Sequence, residues 1–212
     1  MVHPCSEARN ANILGTTFRS TDAQGREEDA VTAAKNQCLG LNHIDLGTKN
    51  MEATRKFYED VLGFPLVRAD LVELGSRGVM KHFFFDIGNG QLLGFMSGED
   101  VEGYPKDFDS GINKGLGLMQ GVYHFAFNAD TMETLEATKV RLQQHGVEVR
   151  GPVDHEGWSK SIYFEDPNGL QLECCHLLRA FVADDAVPRV RFRVEHGKKL
   201  PPRDDSGVRA AG

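Results

Sequence analysis

The chain has 212 residues, of which 40% are hydrophobic and 26% charged, which is ordinary for a soluble globular protein with one sizeable core or two small ones. A formal net charge of −7 argues against general nucleic-acid binding, and no apolar run approaches the roughly 18 residues that a membrane span needs. No charged stretch followed by an apolar one opens the chain, so no signal peptide is expected. The cysteines Cys5, Cys38, Cys174 and Cys175 form no CxxC pair. Adjacent Cys174 and Cys175 point to opposite faces of a strand, so free thiols in a reducing cytoplasm are expected.

Residues 1–37 are polar and aperiodic and read as a tail, with a weak helix near Asp29 to Asn36. Residues 182–212 read as a second polar tail, in which Val190–Val194 alternates like an edge strand or forms a basic segment. Between them, residues 38–181 repeat themselves. Asn42-His43-Ile44-Asp45-Leu46 resembles Tyr123-His124-Phe125-Ala126-Phe127, and a Met-Glu pair (Met51-Glu52, Met132-Glu133) follows each histidine at the same spacing. A helical pattern comes next in both halves: Met51, Thr54, Phe57, Tyr58, Val61 and Leu62, then Met132, Leu135, Val140 and Leu142. Asn50 and Asp130 suit the N-caps, and Gly63 and Gly146 the C-terminal positions beyond the last turn.

A strand is expected at Leu66–Arg68 in the first half and at Val147–Arg150 in the second, and a β-hairpin follows each. Phe83-Phe84-Phe85-Asp86-Ile87-Gly88-Asn89-Gly90 parallels Ile162-Tyr163-Phe164-Glu165-Asp166-Pro167-Asn168-Gly169, and both end in turn chemistry. The unit is therefore β-α-β-β-β, used twice: module 1 spans about 39–97 and module 2 about 121–181. Residues 98–120 form a linker rich in Gly, Asp and Lys that suits a lid or the rim of a site.

Side chains alternate across a strand, so Ser161, Tyr163 and Glu165 share one face, and Gln171, Glu173 and Cys175 share one face after the turn. If the two units pair around a cleft, His43 and His124 face each other and Glu173 points between them. The position matching Glu173 in module 1 is Gly94, which cannot ligate. Two imidazoles and one carboxylate suit a non-haem Fe(II) site with open positions, and equally Mn or Zn. The bland alternatives are packed or surface histidines and a Glu173–arginine ion pair.

The stretch Val153-Asp154-His155, then Ile162-Tyr163, Asp166-Pro167-Asn168-Gly169 and Glu173, resembles the signature of extradiol ring-cleaving dioxygenases. More broadly, Leu39 to Leu178 resembles the vicinal oxygen chelate superfamily of glyoxalases, bleomycin-resistance proteins and extradiol dioxygenases. That resemblance implies an α+β fold of two tandem βαβββ modules forming a half-open metal-binding barrel, in a homodimer. The dioxygenase resemblance implies Fe(II), alternatively Mn(II) or Zn(II), on His43, His124 and Glu173. It also implies a catalytic Tyr163 bonded to a substrate hydroxyl, His155 near substrate or oxygen, and cleavage of a small catechol-like aromatic by dioxygen. The acid/base histidine usual on the last strand of the first module is absent, and His82, one strand earlier, is the candidate substitute. A glyoxalase-like lyase or isomerase and a non-catalytic binding protein are the rival expectations.

Overall fold

The computed structural model describes residues 40–188, 193–195 and 198–200, and the elements below belong to the compact unit Leu41–Gly212. Module 1 opens with strand β1 (His43–Gly47). The Asn50 side chain then accepts from the Ala53 amide at 2.9 Å and caps helix α1 (Met51–Lys56), a contact worth about 1 kcal/mol. The helix widens into a π-helical segment, Phe57–Val61, where the Leu62 amide donates to the Phe57 carbonyl at 3.0 Å. The wider turn buries two consecutive aromatics on different sides. Tyr58 packs on Phe85 and Phe95 of its own module, and Phe57 packs on Phe164 of the other. Gly63, at φ +77°, ends the helix as expected.

Strands β2 (Leu66–Glu73), β3 (Val79–Asp86) and β4 (Leu92–Ser97) complete the module. The order is β1-β4-β3-β2, with β1 and β4 parallel and the other neighbours antiparallel. β2 runs well beyond the expected Leu66–Arg68, because Val79 to Lys81 extend β3 and pair with Leu71 to Glu73. Local propensity does not see such a partner.

Module 2 repeats the plan with β5 (Phe125–Asn128), helix α3 (Met132–Gln144), β6 (Arg150–Asp154), β7 (Ser159–Glu165) and β8 (Gln171–Leu177), ordered β5-β8-β7-β6. The N-cap of α3 is Thr131, whose hydroxyl accepts from the Thr134 amide at 3.1 Å. Asp130, the expected cap, bonds the Thr134 hydroxyl instead, and that bond holds its carboxyl below the usual range. β6 starts at Arg150 rather than Val147, since Val147 and Val149 pack against the core ahead of the strand. The linker carries a short helix α2 (Ile112–Gly115) and lies against the second hairpin: the Ser110 hydroxyl donates to the Asn168 carbonyl at 3.0 Å. Strands β9 (Arg193–Glu195) and β10 (Lys198–Leu200) form an antiparallel pair, so only part of the expected Val190–Val194 strand falls within the described residues, and the expected N-terminal tail and its helix lie outside them.

The architecture is α+β, with two four-stranded mixed sheets that do not close on one another. One apolar cluster joins them. Phe85, Leu93 and Phe95 come from the first sheet, Ile162, Phe164, Leu172 and Cys174 from the second, and Tyr58, Leu135 and Leu142 from the helices. Full burial of each large side chain contributes about 1.5–3 kcal/mol. A buried polar knot fixes the modules to each other: the Tyr58 hydroxyl donates to Asp166 at 3.0 Å and the Thr48 hydroxyl to Asn168 at 2.7 Å. Burial pushes the Asp166 carboxyl up from its ordinary value and the Tyr58 phenol well above its own. Among the described residues no helix is long and apolar enough to cross a membrane.

Candidate metal centre

Because each sheet gives one face to the shared core, its other face lies on the far side, and the chemistry-bearing side chains are there. On module 2, β8 carries Glu173 directly opposite Tyr163 of β7, and His124 stands one residue before β5. His124 Nε2 lies 3.1 Å from Glu173 Oε2, and the glutamate is 6% exposed. The other ring nitrogen, Nδ1, bonds the Gly121 carbonyl at 3.0 Å. A carbonyl only accepts, so Nδ1 carries a proton and Nε2 is the nitrogen turned to the carboxylate. Metal-binding histidines are held in this way, by an oxygen on the nitrogen that does not ligate. A buried carboxylate and an imidazole nitrogen 3.1 Å apart are a donor pair that suits a divalent cation. The alternative of a Glu173–arginine ion pair is not formed among the described residues, where the partner of Glu173 is His124.

Tyr163 and His155 also meet: the phenol oxygen and His155 Nε2 are 2.8 Å apart, and the His155 ring lies against Trp158. Burial, and then the Glu173 charge, push the Tyr163 phenol above its ordinary value. The Arg150 guanidinium sits over the Tyr163 ring at 4.9 Å from its centroid. A cavity of about 510 Å³ adjoins this group, lined by Arg150, Tyr163, Glu165, Gln171, Gln120 and Phe57. Gln171 Oε1 and Ser159 Oγ are buried without a hydrogen-bond partner among the described residues, and both belong to the strands of this face.

His43 and His82 lie elsewhere, on the polar face of module 1. His43 Nδ1 is 2.8 Å from Asn42 Oδ1, and its ring meets Phe84 edge-on. His82 Nε2 is 2.8 Å from Asp45 Oδ1, and Asp45 Oδ2 is 3.5 Å from His43 Nε2. Among the described residues no three side chains of one chain are grouped to hold a metal. The expected set therefore divides: Glu173 and His124 converge, with Tyr163 and His155 beside them, while His43 and His82 are on the other sheet. The two sheets turn their apolar faces, not their polar ones, towards each other within a chain, which is why the three expected ligands do not meet in it. Sequence reasoning did not single out Asp45, Arg150 or Gln171 as site residues. A signal for the first was there: the period-two alternation that sets Tyr163 and Glu173 on their faces also puts Asp45 on the face of His43.

A sequence model described as the Glyoxalase/Bleomycin resistance protein/Dioxygenase superfamily matches residues 40–174. Metallothiol transferase FosB of Bacillus licheniformis is 30% identical over 140 residues, which cover 65% of this chain and 75% of that protein. Among solved structures, the integron cassette protein HFX_CASS4, from the mobile metagenome of the Halifax Harbour sewage outfall, is 28% identical with a TM-score of 0.45, covering 66% of this chain and 100% of that one. The fosfomycin resistance protein FosX of Listeria monocytogenes is 20% identical with a TM-score of 0.47, covering 71% and 99%. FosB is named as a metallothiol transferase and not as a dioxygenase, so the closeness to ring-cleaving enzymes expected from the Val153–Glu173 stretch is not matched by that relative.

Proposed function

The chain belongs to the glyoxalase/bleomycin resistance protein/dioxygenase superfamily, and from that premise we propose that it is a metal-dependent enzyme whose small substrate chelates a divalent cation through two oxygen atoms. The observation that carries this is the buried Glu173 carboxylate with His124 Nε2 at 3.1 Å. His124 and Glu173 of one chain, with His43 of a second, would hold the cation, which makes the working unit a homodimer with each polar face of one chain laid on a polar face of the other. The donor set suits Fe(II), Mn(II) or Zn(II). When bound, the cation supplies Lewis acidity that lowers the pKa of a chelated hydroxyl.

The protein's own groups do the rest. Tyr163 donates from its phenol to a substrate oxygen, and His155 holds the partner position for that proton at Nε2. The guanidinium of Arg150 partly offsets the rise that burial and Glu173 impose on the phenol, and offers positive charge to the cavity.

Two finer readings follow. Oxygen-dependent cleavage of a catechol-like aromatic is supported by the Val153–Glu173 stretch and the Tyr163–His155 pair. Addition of a thiol to a small chelated electrophile is supported by the 30% identity to a metallothiol transferase. Protein loaded anaerobically with Fe(II), Mn(II) or Zn(II) separates them. Oxygen uptake with catechols and no thiol consumption supports the first, and thiol consumption with fosfomycin under nitrogen supports the second. Absence of metal binding sinks both. The two-copy site has its own test: mixing and reannealing His43→Ala with His124→Ala chains should recover about a quarter of the wild-type metal sites, because each mixed dimer keeps one intact composite site. No recovery would return the site to a single chain.

A further inference from the structure

The two modules carry the same pair of side chains with the carboxylate moved across the ladder. On module 2 the parallel register sets Ala126 of β5 beside Glu173 of β8. On module 1 the corresponding register sets Asp45 of β1 beside Gly94 of β4. In one sheet the outer strand is small and the inner strand acidic; in the other the order is reversed. The exchange is tight: a Cβ built on Gly94 would lie 1.9 Å from Asp45 Oδ1. The aspartate carboxylate thus fills the space in which a side chain at position 94 would begin.

Each module also treats its histidine alike. His124 has Nδ1 on the Gly121 carbonyl and Nε2 on Glu173 Oε2. His43 has Nδ1 on Asn42 Oδ1 and Nε2 towards Asp45 Oδ2, at 3.5 Å. The second oxygen of Asp45 accepts from His82 Nε2 at 2.8 Å, an outer bond of the kind that orients a ligating carboxylate. Each polar face therefore offers one imidazole nitrogen and one carboxylate oxygen.

We infer that Asp45 is a ligand of the same cation seat, supplying from β1 the carboxylate that Gly94 cannot supply from β4. This rests on the reading of His124 and Glu173 as ligands. The complete seat is then two imidazoles and two carboxylates, His43 and Asp45 from one chain with His124 and Glu173 from another, and His82 is the partner that orients Asp45. The ligand count bears on the reaction. A seat of four protein donors would depart from the two-histidine, one-carboxylate set with open positions that oxygenases use, which would favour the oxygen-independent chemistry.

Binding of Mn(II), followed by the electron paramagnetic resonance signal of the free ion, tests the inference without any assay of turnover. Asp45→Ala is expected to bind Mn(II) at least tenfold more weakly than wild type. The double variant Asp45→Ala/Gly94→Glu, which copies the module 2 arrangement, is expected to recover most of that loss; Tyr163 beside Glu173 shows that an aromatic and a glutamate coexist at this register. The visible spectrum of bound Co(II) should weaken from wild type to Asp45→Ala less than it does for His124→Ala, and should return in the double variant. Wild-type affinity in Asp45→Ala would overturn the inference while leaving the metal reading intact. So would an equal loss in the single and double variants. No Mn(II) binding by wild-type protein would remove the metal reading itself and this inference with it.

Discussion

Module 1 and module 2 share a topology, a core and a spacing of histidine to helix, yet their polar faces are built for different work. Module 2 presents a nearly buried acid, a phenol bonded to an imidazole, a guanidinium and an adjoining cavity. Module 1 presents His43, Asp45 and His82 around the ring of Phe84, which stands where module 2 has Tyr163. Both halves keep an imidazole beside a carboxylate, His43 with Asp45 and His124 with Glu173, while the phenol–imidazole pair belongs to module 2. A Phe84 ring has no hydroxyl to donate, so the counterpart of Tyr163 cannot form the bond that Tyr163 makes with His155.

The apolar side of the comparison is the place to break it hardest. Tyr58 is fully buried, belongs to module 1, and bonds Asp166 of module 2. Tyr58→Ala should cost about 3–5 kcal/mol, from lost packing, the cavity left behind and the lost hydrogen bond to Asp166. Urea denaturation followed by fluorescence and far-ultraviolet circular dichroism should shift as one transition. Two transitions would mean that the modules fold independently and that the shared cluster does not couple them.

The next effect belongs to module 1 alone. Gly94→Ala sets a methyl against Asp45 and against Phe84, whose ring carbon would lie 3.2 Å from it. A loss of about 1–3 kcal/mol is expected, in the range for overpacking. Ala126→Gly, at the small residue that stands across the ladder from Glu173 in module 2, should cost less than about 1 kcal/mol, close to the loss of one backbone restraint. Equal costs would erase the asymmetry between the two ladders.

A smaller effect separates the polar knot from both faces. Burial raises the Asp166 carboxyl, so its folded value lies above its unfolded one. Such a group adds stability that is complete below the unfolded value and is lost as pH rises through the folded one, by about 1.4 kcal/mol for each tenfold difference in proton affinity between the folded and unfolded chain. Asp166→Asn removes that titration. The stability of the variant relative to wild type should therefore improve from pH 3.5 to pH 7, roughly in that proportion. A difference that stays constant with pH would show the carboxyl to be fully compensated by its four donors, the Asn168 and Leu170 amides, the Asn168 side chain and Tyr58.

Much of this was legible in the sequence, for physical reasons. The matched Met-Glu pairs, Asn50 and the glycines at helix ends are local signals, and each forms the expected element. The Asp166-Pro167-Asn168-Gly169 turn and the strand alternation around it correctly set Tyr163 beside Glu173. What escaped is what depends on pairing across distance. The extra length of β2 needs β3, the π-helical turn at Phe57 needs both modules, and Asp45 has meaning only once its register opposite Gly94 is known. His43 is legible as a counterpart of His124, but the direction each sheet faces is decided by the shared core. Pattern places a residue on a face, and packing decides what that face meets.

The mildest perturbation reads the same point from chemistry. Cys174 and Cys175 are adjacent on β8 and free, and alternation puts Cys174 in the core and Cys175 on the face of Glu173. Burial pushes the Cys174 thiol up to about 12, so at neutral pH it holds almost no thiolate, and the thiolate is the reactive species. Iodoacetamide applied to native protein should modify Cys175 first, and Cys174 only on unfolding, with fragment-ion mass spectrometry assigning the two neighbours. The order is a direct readout of strand register. A one-residue slip of β8 would reverse it, and the same slip would turn Glu173 into the apolar cluster and away from His124, so early labelling of Cys174 would undo the metal seat along with the strand assignment.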